Sequence, residues 1–403
     1  VIKKIFILST IASILIFALF AIFVDSQKEI KVLVLHSLTG AMASSEVLLK
    51  DTTLFAIDEI NRKDKLLNHK ITPIVIDIKS DISKEIDSIE NILKNEKISA
   101  VFGIWTSSDR KTLKPIIEKY NNILFYPVQY EGFENSKNII YNSLVANQQL
   151  IPSIKFALEH FGDRFFLVGS DYIYPRVANK ILNEYSNILG ARVVGESYIK
   201  LREKNFTKII QKIKKNEARV IFNNINGDSN QAFYRALNEA NITLPIISFS
   251  MGVETLREIE NFSNLDNYLV VSYLKELSIK ENREFLKRYK KPISSFAINS
   301  YINVKLWEKA VKMVSSFEPE RVLKAIKNIT IASPAGFIYI DGKNNHAWRT
   351  SYIINVLKDS SEIVWDSGVN IKAEPYLNYA LDIDKFIEKL YFNWGENWKN
   401  SKN

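Results

Sequence analysis

From residue 30 onward the chain repeats one pattern: a short, mostly apolar run, a polar turn, then a longer stretch whose apolar positions recur three and four residues apart. Residues 30–36 predict a first buried strand. Ser37-Leu38-Thr39-Gly40 follows, then a helix with Leu49, Thr53, Ala56, Ile57 and Ile60 on its buried side. Strands are predicted at 71–78 and 99–103, with a helix at about 83–95 between them. Alternation of this kind argues for an α/β fold of parallel sheets covered by helices on both faces.

Near residue 146 the pattern restarts with a helix to Phe161 and a strand at 164–169. Further strands are expected at 191–198, 219–223 and 245–249, with a return strand at 268–272. Helices at about 280–290 and 294–316 and short strands between 337 and 365 then take the chain back to the first lobe. No Pro- or Ser-rich linker separates the halves, so two lobes joined by crossing strands are expected, with a cleft that closes at the hinge. Within 382–398, Ile383, Phe386, Ile387 and Leu390 predict an amphipathic helix.

The stretch that organises the rest is Ile123-Leu124-Phe125-Tyr126-Pro127-Val128-Gln129-Tyr130-Glu131-Gly132. A proline interrupts the strand, and aromatic rings with polar tips are left where α/β proteins hold small ligands. Two other strand ends carry similar chemistry. Ile104-Trp105-Thr106-Ser107-Ser108-Asp109 offers hydroxyls that can cap a helix or meet a ligand, and Ser170-Asp171-Tyr172-Ile173-Tyr174-Pro175-Arg176 brings paired tyrosines from the second lobe. Asp171, Asp228 and Glu131 are candidate acceptors, although Asp228 is equally suited to cap a helix. Such a pocket suits a small neutral amide, whose N–H groups need carboxylate or carbonyl acceptors and whose carbonyl needs N–H or O–H donors. Leaving any of these unpaired on burial costs several kcal/mol.

Composition narrows the function further. The 403 residues are 46% hydrophobic, and 54 basic against 45 acidic side chains leave a net charge of +9. The lysines are interspersed with acids and form no concentrated basic face, which argues against nucleic acid. Without cysteine there is no disulfide, thiol nucleophile or thiolate metal site. The four histidines, His36, His69, His160 and His346, have no metal-ligand spacing, and no hydrolase elbow, Walker loop or dinucleotide fingerprint is present. The expectation is a non-enzyme without cofactor or metal. Lys3 and Lys4 before the uncharged stretch 5–24 have the layout of an export signal, cleaved before Gln27 in preference to a retained anchor.

On these residues the chain resembles the periplasmic binding proteins for urea and short-chain amides, within the leucine/isoleucine/valine-binding superfamily. The resemblance covers roughly residues 30–376 and rests on six motifs. They are Leu35-His36-Ser37-Leu38-Thr39-Gly40, Phe102-Gly103-Ile104-Trp105-Thr106-Ser107, Phe125 to Gly132, Gly169 to Arg176, Asn226-Gly227-Asp228-Ser229-Asn230 and Asn344-Asn345-His346. It implies a type I periplasmic binding fold: two Rossmann-like lobes joined by a three-segment hinge. A leader at 1–27, a first lobe of 28–146 and 274–352, a second of 147–273 and 353–376, and a C-terminal tail at 377–403 are expected.

By motif position the resemblance places Trp105, Thr106, Ser107, Tyr126 and the Val128, Gln129 and Tyr130 backbone on the ligand. Tyr172, Tyr174 and Asp228 would close over it. Urea or a short amide would be delivered to the permease subunits of an ABC transporter in the periplasm; the alternative is a sensor subunit signalling through lobe closure. Ser250-Met251-Gly252-Val253 departs from a segment usually more acidic in the urea branch, and the tail beyond Tyr379 departs from a simple transport component.

Overall fold

A computed structural model describes residues 29–63, 65–377 and 382–400. The expected leader and its cleavage site lie outside the described residues. Among these, no helix is long and apolar enough to cross a membrane.

The first sheet contains β1 (Glu29–His36), β2 (Lys70–Asp77), β3 (Ile98–Gly103), β4 (Leu124–Tyr126) and β5 (Ile139–Tyr141), ordered β2-β1-β3-β4-β5. Every pair in it is parallel. Helices cover both faces, so the central strands are apolar on both sides; Val32 to Leu35 are fully buried. The second sheet is built from β6 (Arg164–Ser170), β7 (Arg192–Ile199), β8 (Val220–Asn224), β9 (Ile246–Ser248) and β10 (Asn267–Val271). Alternate residues of β6 serve two separate cores: Phe165 and Leu167 pack on one face of the sheet, Phe166 and Val168 on the other. The fold is thus two α/β lobes with parallel sheets.

The short strands expected between 337 and 365 are present but divided between the two lobes. A small antiparallel sheet of β11 (Thr330–Ser333), β12 (Gly336–Ile340) and β13 (Ala347–Trp348) is attached to the first lobe, and a helix at Pro319–Ile326 precedes it. The second sheet ends in β14 (Tyr352–Val356) and β15 (Ser361–Asp366), which pair antiparallel because a tight turn, closed by Leu357 N–H to Ser360 O at 3.0 Å, joins them.

The chain passes between lobes at 142–145, 272–279 and 349–351. Arg349 ties these passages together. Its fully buried guanidinium donates to Asn142 Oδ1 (3.4 Å), Ser272 Oγ (2.9 Å) and Asn299 Oδ1 (2.8 Å). Burial pulls its pKa down to about 9.

One glycine lets the site form. Gly103 leaves β3 at φ +126, and a Cβ there would stand 2.1 Å from the Leu35 carbonyl oxygen. That backbone reversal turns the chain toward Trp105. Gly103→Ala should therefore destabilise the first lobe by at least about 3 kcal/mol. A calorimetric melt would show it, and an unchanged transition would contradict this account of the turn.

Candidate functional site

The cleft is assembled from strand ends. After β3, Thr106 caps the helix Ser107–Lys119: its Oγ1 accepts from Asp109 N–H (3.0 Å) and donates to Asp109 Oδ2 (2.6 Å). The same helix turns Ser107 and Arg110, three residues apart, onto its buried face. After β4, Pro127 ends the ladder and an irregular loop carries Gln129, Tyr130, Glu131 and Glu134. Gly132 at φ +84 brings this loop against the Pro375 carbonyl, which accepts from Phe133 N–H at 2.7 Å.

Helix and loop meet at Arg110. Its Nε donates to Glu134 Oε1 (2.8 Å), Nη1 donates to Ser107 Oγ (3.0 Å), and Nη2 stands 3.6 Å from Glu131 Oε1. The guanidinium carbon lies 4.3 Å from the Tyr130 ring centre and 4.8 Å from that of Tyr126. Ser107 donates on to Glu131 Oε2 (2.6 Å). Burial would raise the Glu134 carboxyl, but Arg110 and Lys111 outweigh it and hold the group well below the usual range. Behind Tyr130, burial lowers the His346 pKa to about 4. Its Nδ1–H donates to Asn344 O (2.6 Å), so Nε2 accepts from the Tyr130 hydroxyl.

The second lobe closes on this wall. Trp105 Nε1 donates to Asn226 Oδ1 (3.0 Å) and Gln129 Nε2 donates to Ser250 Oγ (3.1 Å), both across the cleft. Gly227, at φ +69, lets the β8 end approach so closely that a Cβ would be 2.4 Å from Ala41 O. Tyr172 and Tyr174, at the start of the helix Ile173–Ile188, complete the enclosure at 4% and 3% exposure. Burial raises the Tyr174 hydroxyl pKa above its ordinary range; Ser250 and Gln129, close to it but outside hydrogen-bond geometry, oppose the rise and Glu131 adds to it.

Among the described residues, the buried polar atoms without a hydrogen bond include four at this enclosure: the acceptors Gln129 Oε1 and Glu131 Oε1, and the Arg110 Nη2 and Tyr174 hydroxyl donors. Buried polar atoms are ordinarily paired, so these four retain the capacity to bond a polar guest. Among the described residues no group of three or more His, Cys, Asp or Glu could hold a metal ion.

The structure therefore brings together Trp105, Ser107, Tyr126, Gln129, Tyr130, Tyr172 and Tyr174, with Val128 buried beside them at 2% exposure. Thr106 is buried but committed to its cap. Tyr126 turns its hydroxyl back to Trp105 O (2.5 Å) and braces Arg110. Asp228 is not brought into the cluster. Its side chain is exposed beyond the Gly227 turn, and its backbone N–H, at 3.3 Å from Ala41 O, is what reaches the first lobe. Asp171 pairs with Arg176 at 2.7 Å. Arg110, Glu134, Asn226 and Ser250 escaped the sequence reading of the site. The one signal was spacing, since Ser107/Arg110 and Glu131/Glu134 are each three apart.

The chain matches the periplasmic binding protein domain family over residues 30–382 and belongs to that family. Similar solved structures include an amino acid ABC transporter substrate-binding protein from Pseudomonas fluorescens Pf-5, at 17% identity and TM-score 0.75, covering 88% of this chain and 97% of that one. The branched-chain amino acid binding protein LivJ of Streptococcus pneumoniae, in complex with isoleucine, shares 17% identity at TM-score 0.75, over 84% and 99% of the two chains. A solute-binding protein of Rhodopseudomonas palustris HaA2 in complex with p-hydroxybenzoic acid shares 19% at TM-score 0.72, over 81% and 92%. These likenesses establish the fold. A limonene hydroxylase of Geobacillus stearothermophilus is 32% identical over 135 residues, 32% of this chain, and the chain spans 24% of that relative's length.

Asp109 gives the site's first lobe a titration of its own. Burial raises its carboxyl pKa from 3.8 to about 6, with the Thr106 bond opposing and Glu46 adding to the rise. A carboxyl raised on folding stabilises the fold below its unfolded pKa, and that contribution is lost as pH rises through the folded value. Asp109→Asn mimics the protonated form. The two proteins should melt alike near pH 3.5, and above pH 6 the variant should be the more stable by roughly 2–3 kcal/mol. Parallel stability curves across that window would contradict the assignment.

Proposed function

We propose that this chain is an exported solute-binding protein that captures urea or a short-chain amide between its lobes and delivers it to an ABC-type transporter in the periplasm. The observation that carries the ligand reading is the mixed set of orphans: Gln129 Oε1 and Glu131 Oε1 need donors, while the Tyr174 hydroxyl needs an acceptor. A small amide supplies both from one planar molecule. Trp105, Gln129, Glu131 and Tyr174 would contact it, with Tyr126, Val128 and Tyr130 backing the wall and Ser107 and Tyr172 at its edges.

A carboxylate ligand fits less well. Arg110 commits Nε to Glu134 and Nη1 to Ser107, and its remaining Nη2 faces Glu131 Oε1 at 3.6 Å, a carboxylate that would repel an incoming acid. The isoleucine and p-hydroxybenzoic acid held by the similar solved proteins would need a free cation at that point. Family membership and the enclosed cleft support solute capture in place of catalysis.

Titration calorimetry of the chain from residue 28, with urea, acetamide, formamide and leucine at matched pH and salt, tests this reading. Urea should bind one to one and be recovered unchanged, with acetamide weaker and leucine silent; tighter binding of leucine than of urea would overturn it. Tyr174→Phe removes only the unpaired hydroxyl. It should weaken urea binding about tenfold while leaving the melting temperature equal or slightly raised, because an unsatisfied buried donor is gone. Unchanged affinity would show that this hydroxyl faces no ligand.

A further inference from the structure

The segment after residue 393 has no part in the reading above, yet it lies across the mouth of the cleft. The helix Ile383–Asn393 docks on the second lobe through Ile383 and Ile387, and Trp394 extends the same apolar contact. The chain then runs beside the Tyr172 lip. Ile173 N–H donates to Trp398 O (3.0 Å), Lys399 forms a β-bridge with Tyr172, and Asn400 N–H donates to Asp171 O (3.2 Å). Asn400 Nδ2 also donates to Asp171 Oδ2 (2.9 Å). These bonds fasten the segment to the second lobe.

Two side-chain contacts then reach the first lobe. Lys399 Nζ is 2.8 Å from Asp81 Oδ1, and Lys111 Nζ lies 5.0 Å from the centre of the Trp398 ring. Both first-lobe partners are held in place. Asp81 caps the short helical turn Ile82–Lys84, and Lys111 is fixed by Glu134 Oε2 at 3.1 Å, the same carboxylate that engages Arg110. The segment is thus carried by one lobe and anchored at its far side to the other, outside the inner contacts Trp105–Asn226 and Gln129–Ser250.

We infer that residues 398–400 are a clasp: they travel with the second lobe, engage Asp81 and Lys111 when the lobes shut, and slow reopening. The segment is a determinant of how long any cleft ligand stays, whatever that ligand is. An ion pair and a cation–π contact that are each partly exposed are modest singly, so the expected effects are about threefold for one and about tenfold for both.

The absence of cysteine makes the test direct. Lys94→Cys on the first lobe and Lys214→Cys on the second, both exposed, accept a dye pair, and single-molecule energy transfer reads opening and closing without any ligand. Lys399→Gln keeps the stem and removes the charge; it should open about threefold faster than the labelled parent. Trp398→Ala with Lys399→Gln should open about tenfold faster, with closing rates and helical circular dichroism unchanged because Ile383, Ile387 and Trp394 still dock. Lys389→Ala, on the exposed face of the terminal helix, should behave as the parent. Opening at the parental rate in the double variant, or equal acceleration by Lys389→Ala, would overturn the clasp. Because no ligand enters the measurement, its failure is independent of whether urea binds.

Discussion

Arg110 is the constraint on which the first-lobe wall depends. A guanidinium with no exposed surface loses several kcal/mol of hydration, and it persists only where charge and hydrogen bonds replace water. Glu134, Ser107 and the faces of Tyr126 and Tyr130 supply that replacement. The consequence is geometric. A loop without regular secondary structure, from Pro127 to beyond Glu134, is pinned to the first turns of the helix Ser107–Lys119, and its Glu131 carboxylate is hydrogen-bonded through one oxygen while the other makes only a 3.6 Å ion pair with Arg110 Nη2. Stacking of Tyr141 on His346 at 4.2 Å backs the same loop from behind, with neutral His346 receiving the Tyr130 hydroxyl. The wall is rigid because each member satisfies another, which is what lets its two unsatisfied acceptors be presented instead of collapsing inward.

The opposite wall depends on backbone reach more than on side chains. Gly227 brings the β8 end within contact of Ala41, and Asn226 and Ser250 receive the Trp105 and Gln129 donors. These bonds join the lobes across the cleft, in addition to the passages gathered by Arg349. Its acceptors there are neutral side chains and a backbone carbonyl. Neutral partners hold a buried cation less firmly than a carboxylate would, in keeping with a hinge that has to bend.

Much of the architecture was legible because buried parallel strands read as apolar runs and the helices between them keep their period: β1, β2, β3 and β6 begin and end within two residues of the expected positions. The elements missed were short. β5 has three residues and β11 four, too few for alternation to stand out. The site was legible at its aromatic strand ends and illegible at its charges. An arginine on the first turn of a helix reads as solvated, and nothing local reveals that the loop twenty residues on supplies its acids. Asp228 fails for the converse reason: its motif is beside the cleft, but the turn at Gly227 spends the approach on backbone and sends the carboxylate to solvent.

The central claim is that the closed cleft presents paired acceptors and a donor to one small amide. A crystal structure grown with saturating urea tests it most directly. The account predicts closed lobes and a planar, three-armed density within hydrogen-bond distance of Gln129 Oε1, Glu131 Oε1 and the Tyr174 hydroxyl. Urea lodged elsewhere, for example in the 660 Å³ groove bordered by Arg288, Tyr301 and Met313 on the first lobe, with those atoms still unpaired, would contradict it.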